Sequence, residues 1–239
     1  MFRISIPLAA VAGLCLLLAS CASKPEIPFD HSTAADIKFV AIVTPRFPDG
    51  PSVVLASTVG QSFGLIGALV DAGMQSNRDG KFSDLLSSRA FSASQMFVSD
   101  LTSALHAQGY KVAVVPLARD KEDYLAAYPP VSGVAVDAYL DIVTSRYGYM
   151  AAGVGGSTPY RPDIAMRCRL VRARDASVLM QDAVAYNPLG TPKDTVTINP
   201  APEDEFKDFD SLVADPDHAV KGLQTALDQS AKTIATLLR

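Results

Sequence analysis

The sequence predicts an α/β or α+β fold: a mixed sheet ending in an antiparallel meander, helices packed on it, and an amphipathic C-terminal helix. Three observations carry that expectation. Residues 134–186 contain successive segments in which apolar and polar side chains alternate with a period of two, the pattern of half-buried strands. Short runs rich in β-branched residues stand earlier, at 37–43, 52–57 and 111–117. Other stretches repeat their apolar residues every three or four positions, as helices covering one side of a sheet do. Helices layered on one mixed sheet is the architecture this element order fits.

Taken in order, IKFVAIV from Ile37 reads as a buried strand, RFPDGP as a turn and SVVLAS as a second strand, so the two are expected to pair antiparallel across the short link. A long helical region follows at about 60–107, with a break near Asn77 to Gly80, where SNRDGK carries turn chemistry. Its second half, from Ser83 to Ala107, places Ala90, Ala93, Phe97, Leu101, Ala104 and Leu105 on one face. Gly109 then stands where a left-handed cap would end the helix. KVAVVPL is a strand, and RDKEDYLAAY is a short helix ended by Pro129 and Pro130.

In the meander, Val134, Val136, Ala138, Leu140 and Ile142 alternate with Asp137, Tyr139 and Asp141. Beyond the loop GYMAAGVGGSTPY, Ile164, Met166, Cys168 and Leu170 face inward while Asp163, Arg167 and Arg169 face out. SVLMQDAVAY supplies the third strand, and the complementary outward charges place Asp141 near Arg167. Residues 188–216 are irregular. Asp217 is read as the cap of the last helix, whose stripe is Val220, Leu223, Leu227, Ile234 and Leu238.

The N-terminus has a basic residue, Arg3, then an uncharged apolar run from Ile4 to Leu18, too short to span a bilayer comfortably: a secretory signal. It ends Leu18-Ala19-Ser20-Cys21, which resembles the lipobox of bacterial lipoproteins. That resemblance implies cleavage before Cys21 and acylation of this cysteine, with palmitate among its acyl chains. Ala22 and Ser23, rather than Asp, follow the cysteine, which in that family implies an outer-membrane address facing the periplasm. At about 0.8 kcal/mol per buried methylene, several acyl chains hold a protein at the membrane essentially permanently. The expected division is a signal peptide at 1–20, the lipidated cysteine and a tether at 21–36, and one periplasmic domain at 37–239. Cys15 leaves with the signal, so Cys168 alone remains a thiol, and stability must come from the core. Formal charge is −4, with no basic arm of the kind that binds nucleic acid.

A second resemblance lies in the meander. VDAYLDIVTSRYGY followed by RPDIAMRCRLVRARDASVLMQD is similar to the closing strands of periplasmic lipoproteins related to the curli secretion channel protein. The matching positions are Asp137, Ala138, Leu140, Leu170, Val171, Ala173, Asp175, Val178 and Leu179. The resemblance implies an oligomeric accessory of secretion or transport. It carries no chemistry, and no long amphipathic hairpins suggest a membrane barrel.

Gly60-Gln61-Ser62-Phe63-Gly64 matches the Gly-x-Ser-x-Gly nucleophile elbow. A serine hydrolase would use Ser62, with His218 as base and Asp194 or Asp210 as acid. The rival reading takes Gly60, Gly64, Gly67, Ala68, Ala72 and Gly73 as small residues that let another backbone approach, within the chain or between copies. His31, His106 and His218 lack the spacing of a metal site, and no cofactor is expected. Tyr147, Tyr149 and Tyr160, flanking a glycine-rich loop, are the candidate binding residues. EDEFKDFD, 203–210, reads as a solvated face whose Phe206 and Phe209 could dock on a partner. The expectation is a non-enzymatic, membrane-anchored protein that binds or scaffolds other envelope proteins, or copies of itself.

Overall fold

The computed structural model describes residues 26–56, 64–117, 119, 123–130, 133, 135–152 and 158–239, with the backbone alone at 64–72. The signal peptide, Cys21 and Ser62 lie outside the described residues. Among the described residues, seven strands form one mixed sheet: β1 (Phe39–Val43), β2 (Ser52–Ala56), β3 (Lys111–Val115), β4 (Ala138–Ala152), β5 (Arg161–Arg172), β6 (Val178–Tyr186) and β7 (Val196–Ile198). Its order is β3-β1-β4-β5-β6-β7, with β2 also on β4. The expected mixed sheet with an antiparallel meander is what forms: β4, β5 and β6 pair antiparallel.

β4 is longer than its alternating pattern, because the glycine-rich segment read as a loop supplies its last residues, Gly148–Ala152. β1 and β2 do not pair with each other, contrary to expectation. Both run parallel to β4, β1 along Ala138–Leu140 and β2 along Gly148–Ala152. RFPDGP interrupts the ladder without reversing it. Pro48 and Pro51 bring no N–H to it, yet a bridge between Arg46 and Val143 keeps the direction. The two runs are thus pieces of one interrupted strand. Gly148, at φ +144°, permits the second piece, since a Cβ there would stand 1.9 Å from the Ser52 carbonyl oxygen. Asp137 ties the first, its carboxylate accepting from the N–H groups of Lys38 and Phe39, both at 2.8 Å.

The helices are α1 (Gly64–Ser88), α2 (Ala93–Ala107), α3 (Phe209–Ala214) and α4 (Pro216–Thr236). α1 continues through Asn77–Gly80, where a break was expected. Asp79 is put to use there: its carboxylate accepts the Val53 N–H at 2.7 Å, tying the helix to β2. The break falls instead at Arg89–Ser92, with Ala90 at φ 49° in the turn rather than on the helix face, and Ser92 accepting from the Gln95 N–H as the cap of α2. The cap of α4 is Asp215 rather than Asp217, because Pro216 takes the first helical position, where its missing N–H is harmless. RDKEDYLAAY forms no helix in its described part, residues 119 and 123–128.

α2 and α4 cover one face of the sheet. Phe97, Leu101 and Leu105 of α2 and Leu227 and Ile234 of α4 pack with Ile142, Ile164, Met166, Cys168 and Leu170. These four β5 side chains are buried, as their alternation predicts. A second cluster, Phe82, Tyr149, Tyr160, Phe206 and Leu223, closes the far end of β4. The described part of the segment read as a tether is docked: Ile27 and Gln181 exchange two backbone hydrogen bonds of 2.8 Å, and Ala34 is buried. Asp36 pairs with Arg172, a buried side chain.

Candidate binding groove on the far face of the sheet

Side chains that alternate away from the helices were expected to face solvent. Several do not. Asp141 is fully buried, opposed in register by Arg169 rather than Arg167. Its true counter-ion is Arg119, with side-chain exposures of 0% for the acid and 5% for the base. It also accepts from the Leu125 N–H at 2.9 Å and the Tyr128 hydroxyl at 2.7 Å. That hydroxyl in turn accepts from Arg169 at 2.6 Å. The Arg169 guanidinium lies 4.4 Å from the Tyr124 ring centroid, a cation–π contact. Arg119 and the described residues 123–130 therefore cover part of this face without helix or strand, held by a charged and aromatic lattice. Burial, reinforced by the bond to Asp141, pushes the Tyr128 phenol well above its usual range, so it stays protonated and donates.

Beyond that cover the same face opens into a cavity of about 520 Å³. Ala165, Ala183 and Ala185 form its floor, Arg146, Arg167 and Tyr124 stand along it, and Glu26 and the loop 190–195 make its rim. Small side chains leave the space: on β6 the successive outward residues Ala183 and Ala185 carry only a methyl group, and Ala165 of β5 stands opposite Ala185. The arginines are oriented by acids: Arg146 pairs with Asp163, whose side chain is 2% exposed, and Arg167 meets Asp123 at 3.4 Å. Burial raises the Asp163 pKa, and the Arg146 hydrogen bonds oppose that rise. The result is an apolar floor between fixed cations and an acidic rim, a shape that can hold a ligand or a partner's side chains.

The tyrosines singled out from sequence sit elsewhere. Tyr149 is 1% exposed and its hydroxyl donates to the Ala219 carbonyl at 2.9 Å. Tyr160 is buried and bridges to Phe206 through two backbone bonds. Tyr147 packs edge-on against Phe47 at 5.7 Å. Their rings belong to the core clusters, and residues 153–157 between them lie outside the described part. Phe206 is buried too, and so is Asp204, so the run 203–210 is not wholly a solvated face. The groove residues Ala165, Ala183, Arg146 and Arg167 were missed. Their one sequence signal is alanine at successive outward positions of β6, 183 and 185, with Ala165 on the neighbouring strand.

The elbow reading meets a different geometry. A nucleophile elbow stands on a strand inside a parallel sheet, whereas β2 pairs with β4 alone among the described strands. His218 Nε2 lies 2.6 Å from the Glu203 carbonyl oxygen. A carbonyl only accepts, so that nitrogen holds the proton and is no base. Its acidic neighbour is Asp215 at 3.7 Å, rather than Asp194 or Asp210. Among the described residues, no group of three His, Cys, Asp or Glu could hold a metal, and no helix is long and apolar enough to cross a membrane.

No family model and no curated protein matches the chain. Among solved structures it is similar to protein XCC0632 of Xanthomonas campestris, from family DUF330, at 11% identity over 91% of this chain and 90% of that one, with a TM-score of 0.45. It is similar to PelC, a dodecamer from Paraburkholderia phytofirmans, at 12% identity over 91% and 92% of the two chains, with a TM-score of 0.35. A third likeness is to lipoprotein GNA1162 of Neisseria meningitidis, at 15% identity over 62% of this chain and 81% of that one, with a TM-score of 0.30.

Proposed function

We propose that this protein is a lipid-anchored lipoprotein of the outer membrane, facing the periplasm, that binds another envelope component without chemical turnover. The observation that carries the binding half is the far-face groove. Its arginines are held by acids, its floor is apolar, and no nucleophile–base pair stands in it among the described residues. The lipobox Leu18-Ala19-Ser20-Cys21 supports the anchor. The charged lattice beside the groove is internally paired, which suits a rigid platform better than a site that moves protons. The oligomeric accessory suggested by the meander remains one form this binding could take.

Two labels test the reading in cells. Wild-type protein is expected to incorporate palmitate and to fractionate with outer membranes, and Cys21→Ser to do neither. A fluorophosphonate serine probe is expected to leave wild type unlabelled. Labelling that disappears in Ser62→Ala would make the protein a hydrolase, and palmitate on Cys21→Ser would remove the anchor.

A further inference from the structure

The anchor and the fold lie very close together in the chain. Among the described residues, the first one bound to the sheet is Ile27, pinned to Gln181 by two backbone hydrogen bonds of 2.8 Å. The same segment is held again downstream by buried Ala34 and Ile37 and by the Asp36–Arg172 pair. Cys21 and Ile27 are six residues apart in sequence. Covalent geometry limits that span to about 20 Å even when fully extended.

Ile27 lies along β6, whereas β3 stands at the opposite edge of the sheet, four strand spacings away by the strand order. At about 4.8 Å per spacing, that edge is roughly 19 Å farther across. We infer that the flank formed by β6, β7 and the loop 188–195 lies against the bilayer surface, with β3 directed away from it. The inference rests on the lipid-anchor reading and adds an orientation to it. The occupant of this flank is the lipid surface itself, since the reach of the chain brings it there. Attraction to anionic lipid is not the cause, because Glu26 and Asp194 at the groove rim are acidic. The mouth of the groove beside Glu26 therefore opens close to the headgroups.

The chain contains no tryptophan, so one introduced tryptophan reports alone. Full-length lipidated protein is reconstituted on vesicles of phosphatidylethanolamine and phosphatidylglycerol containing phosphatidylcholine with a headgroup nitroxide. Lys193→Trp, on the exposed loop of the flank, and Val114→Trp, on exposed β3, are compared. Pro28→Trp, exposed one residue after Ile27, repeats the flank position should Lys193→Trp misfold. The flank tryptophan is expected to lose most of its emission and the β3 tryptophan almost none. Equal quenching, or stronger quenching at Val114→Trp, with the wild type floating on vesicles and Cys21→Ser remaining free, overturns the orientation and leaves the anchor standing. Cys21→Ser floating as wild type does removes the anchor, and the orientation with it.

Discussion

The two faces of this sheet are buried by different means. The face toward α2 and α4 is covered by regular helices and filled with Phe97, Leu101, Leu227 and their strand partners. The far face is covered in part by Arg119 and residues 123–130, whose contacts include Arg119–Asp141, Tyr128–Asp141 and Arg169 against Tyr124. Apolar packing is non-directional and tolerates small rearrangement, because its energy scales with area. A buried ionic lattice is directional: each group depends on a particular partner, and losing one strands the others. The far face is thus specified atom by atom where it is covered, and it is open where its side chains shrink to alanine.

The largest expected effects come from cutting each face at its centre. Asp141→Ala leaves Arg119 buried without a counter-charge and should cost about 3–5 kcal/mol. Phe97→Ala, which opens a cavity under α2, should cost a similar 3–5 kcal/mol. The faces separate when shape is kept. Asp141→Asn preserves volume and should still lose most of that stability, whereas Leu227→Met should cost less than about 1.5 kcal/mol. Urea denaturation of the four variants checks this, and a mild Asp141→Asn would break the distinction between the faces.

A smaller effect is expected where β2 meets β4. Gly148→Ala drives a methyl into the Ser52 carbonyl at a positive φ and should cost roughly 1–3 kcal/mol as the backbones part. A thermal melt of Gly148→Ala showing no loss would mean that the interrupted strand is not held as described.

Asp182 sharpens the comparison, being an acid opposed in register to Cys168 on the apolar side. Burial raises its pKa, and the hydrogen bond from the Ala183 N–H only partly opposes this. A raised carboxyl pKa favours the folded state at low pH, and that contribution is lost as pH rises through the folded value. Asp182→Asn should therefore stabilise modestly at neutral pH. The gain should vanish as pH falls below the ordinary aspartate range near 4, which melting temperatures across pH would show. The smallest expected signal is at Cys168 itself, fully buried, its thiol pushed up by burial. Native protein should resist maleimide until unfolded.

The helix-covered face was largely legible in the sequence, because Ile164, Met166, Cys168 and Leu170 alternate cleanly and the stripe of the last helix points at them. The far face was not. Alternation reports which side chains are apolar, and Asp141 and Asp163 look like solvent-facing acids until the distant partners Arg119 and Arg146 are seen. Turn chemistry misled twice for a related reason. Proline and glycine in RFPDGP break hydrogen bonding but need not reverse a strand, and SNRDGK can stay helical when Asp79 finds a partner on β2. The aromatic loop residues were singled out for chemical type alone. Tyr149 and Tyr160 carry polar tips, but their rings are needed to fill the end of the sheet.

The proposed function places contact with another envelope component at the open part of the far face. The direct measurement is photo-crosslinking in living cells from a benzophenone amino acid placed at Ala183, on the groove floor, and at Gln224, exposed on α4. A discrete adduct is expected from position 183, lost when Ala165→Arg fills the groove, and none from position 224. No adduct at 183, or the same adduct from both positions, would contradict that placement.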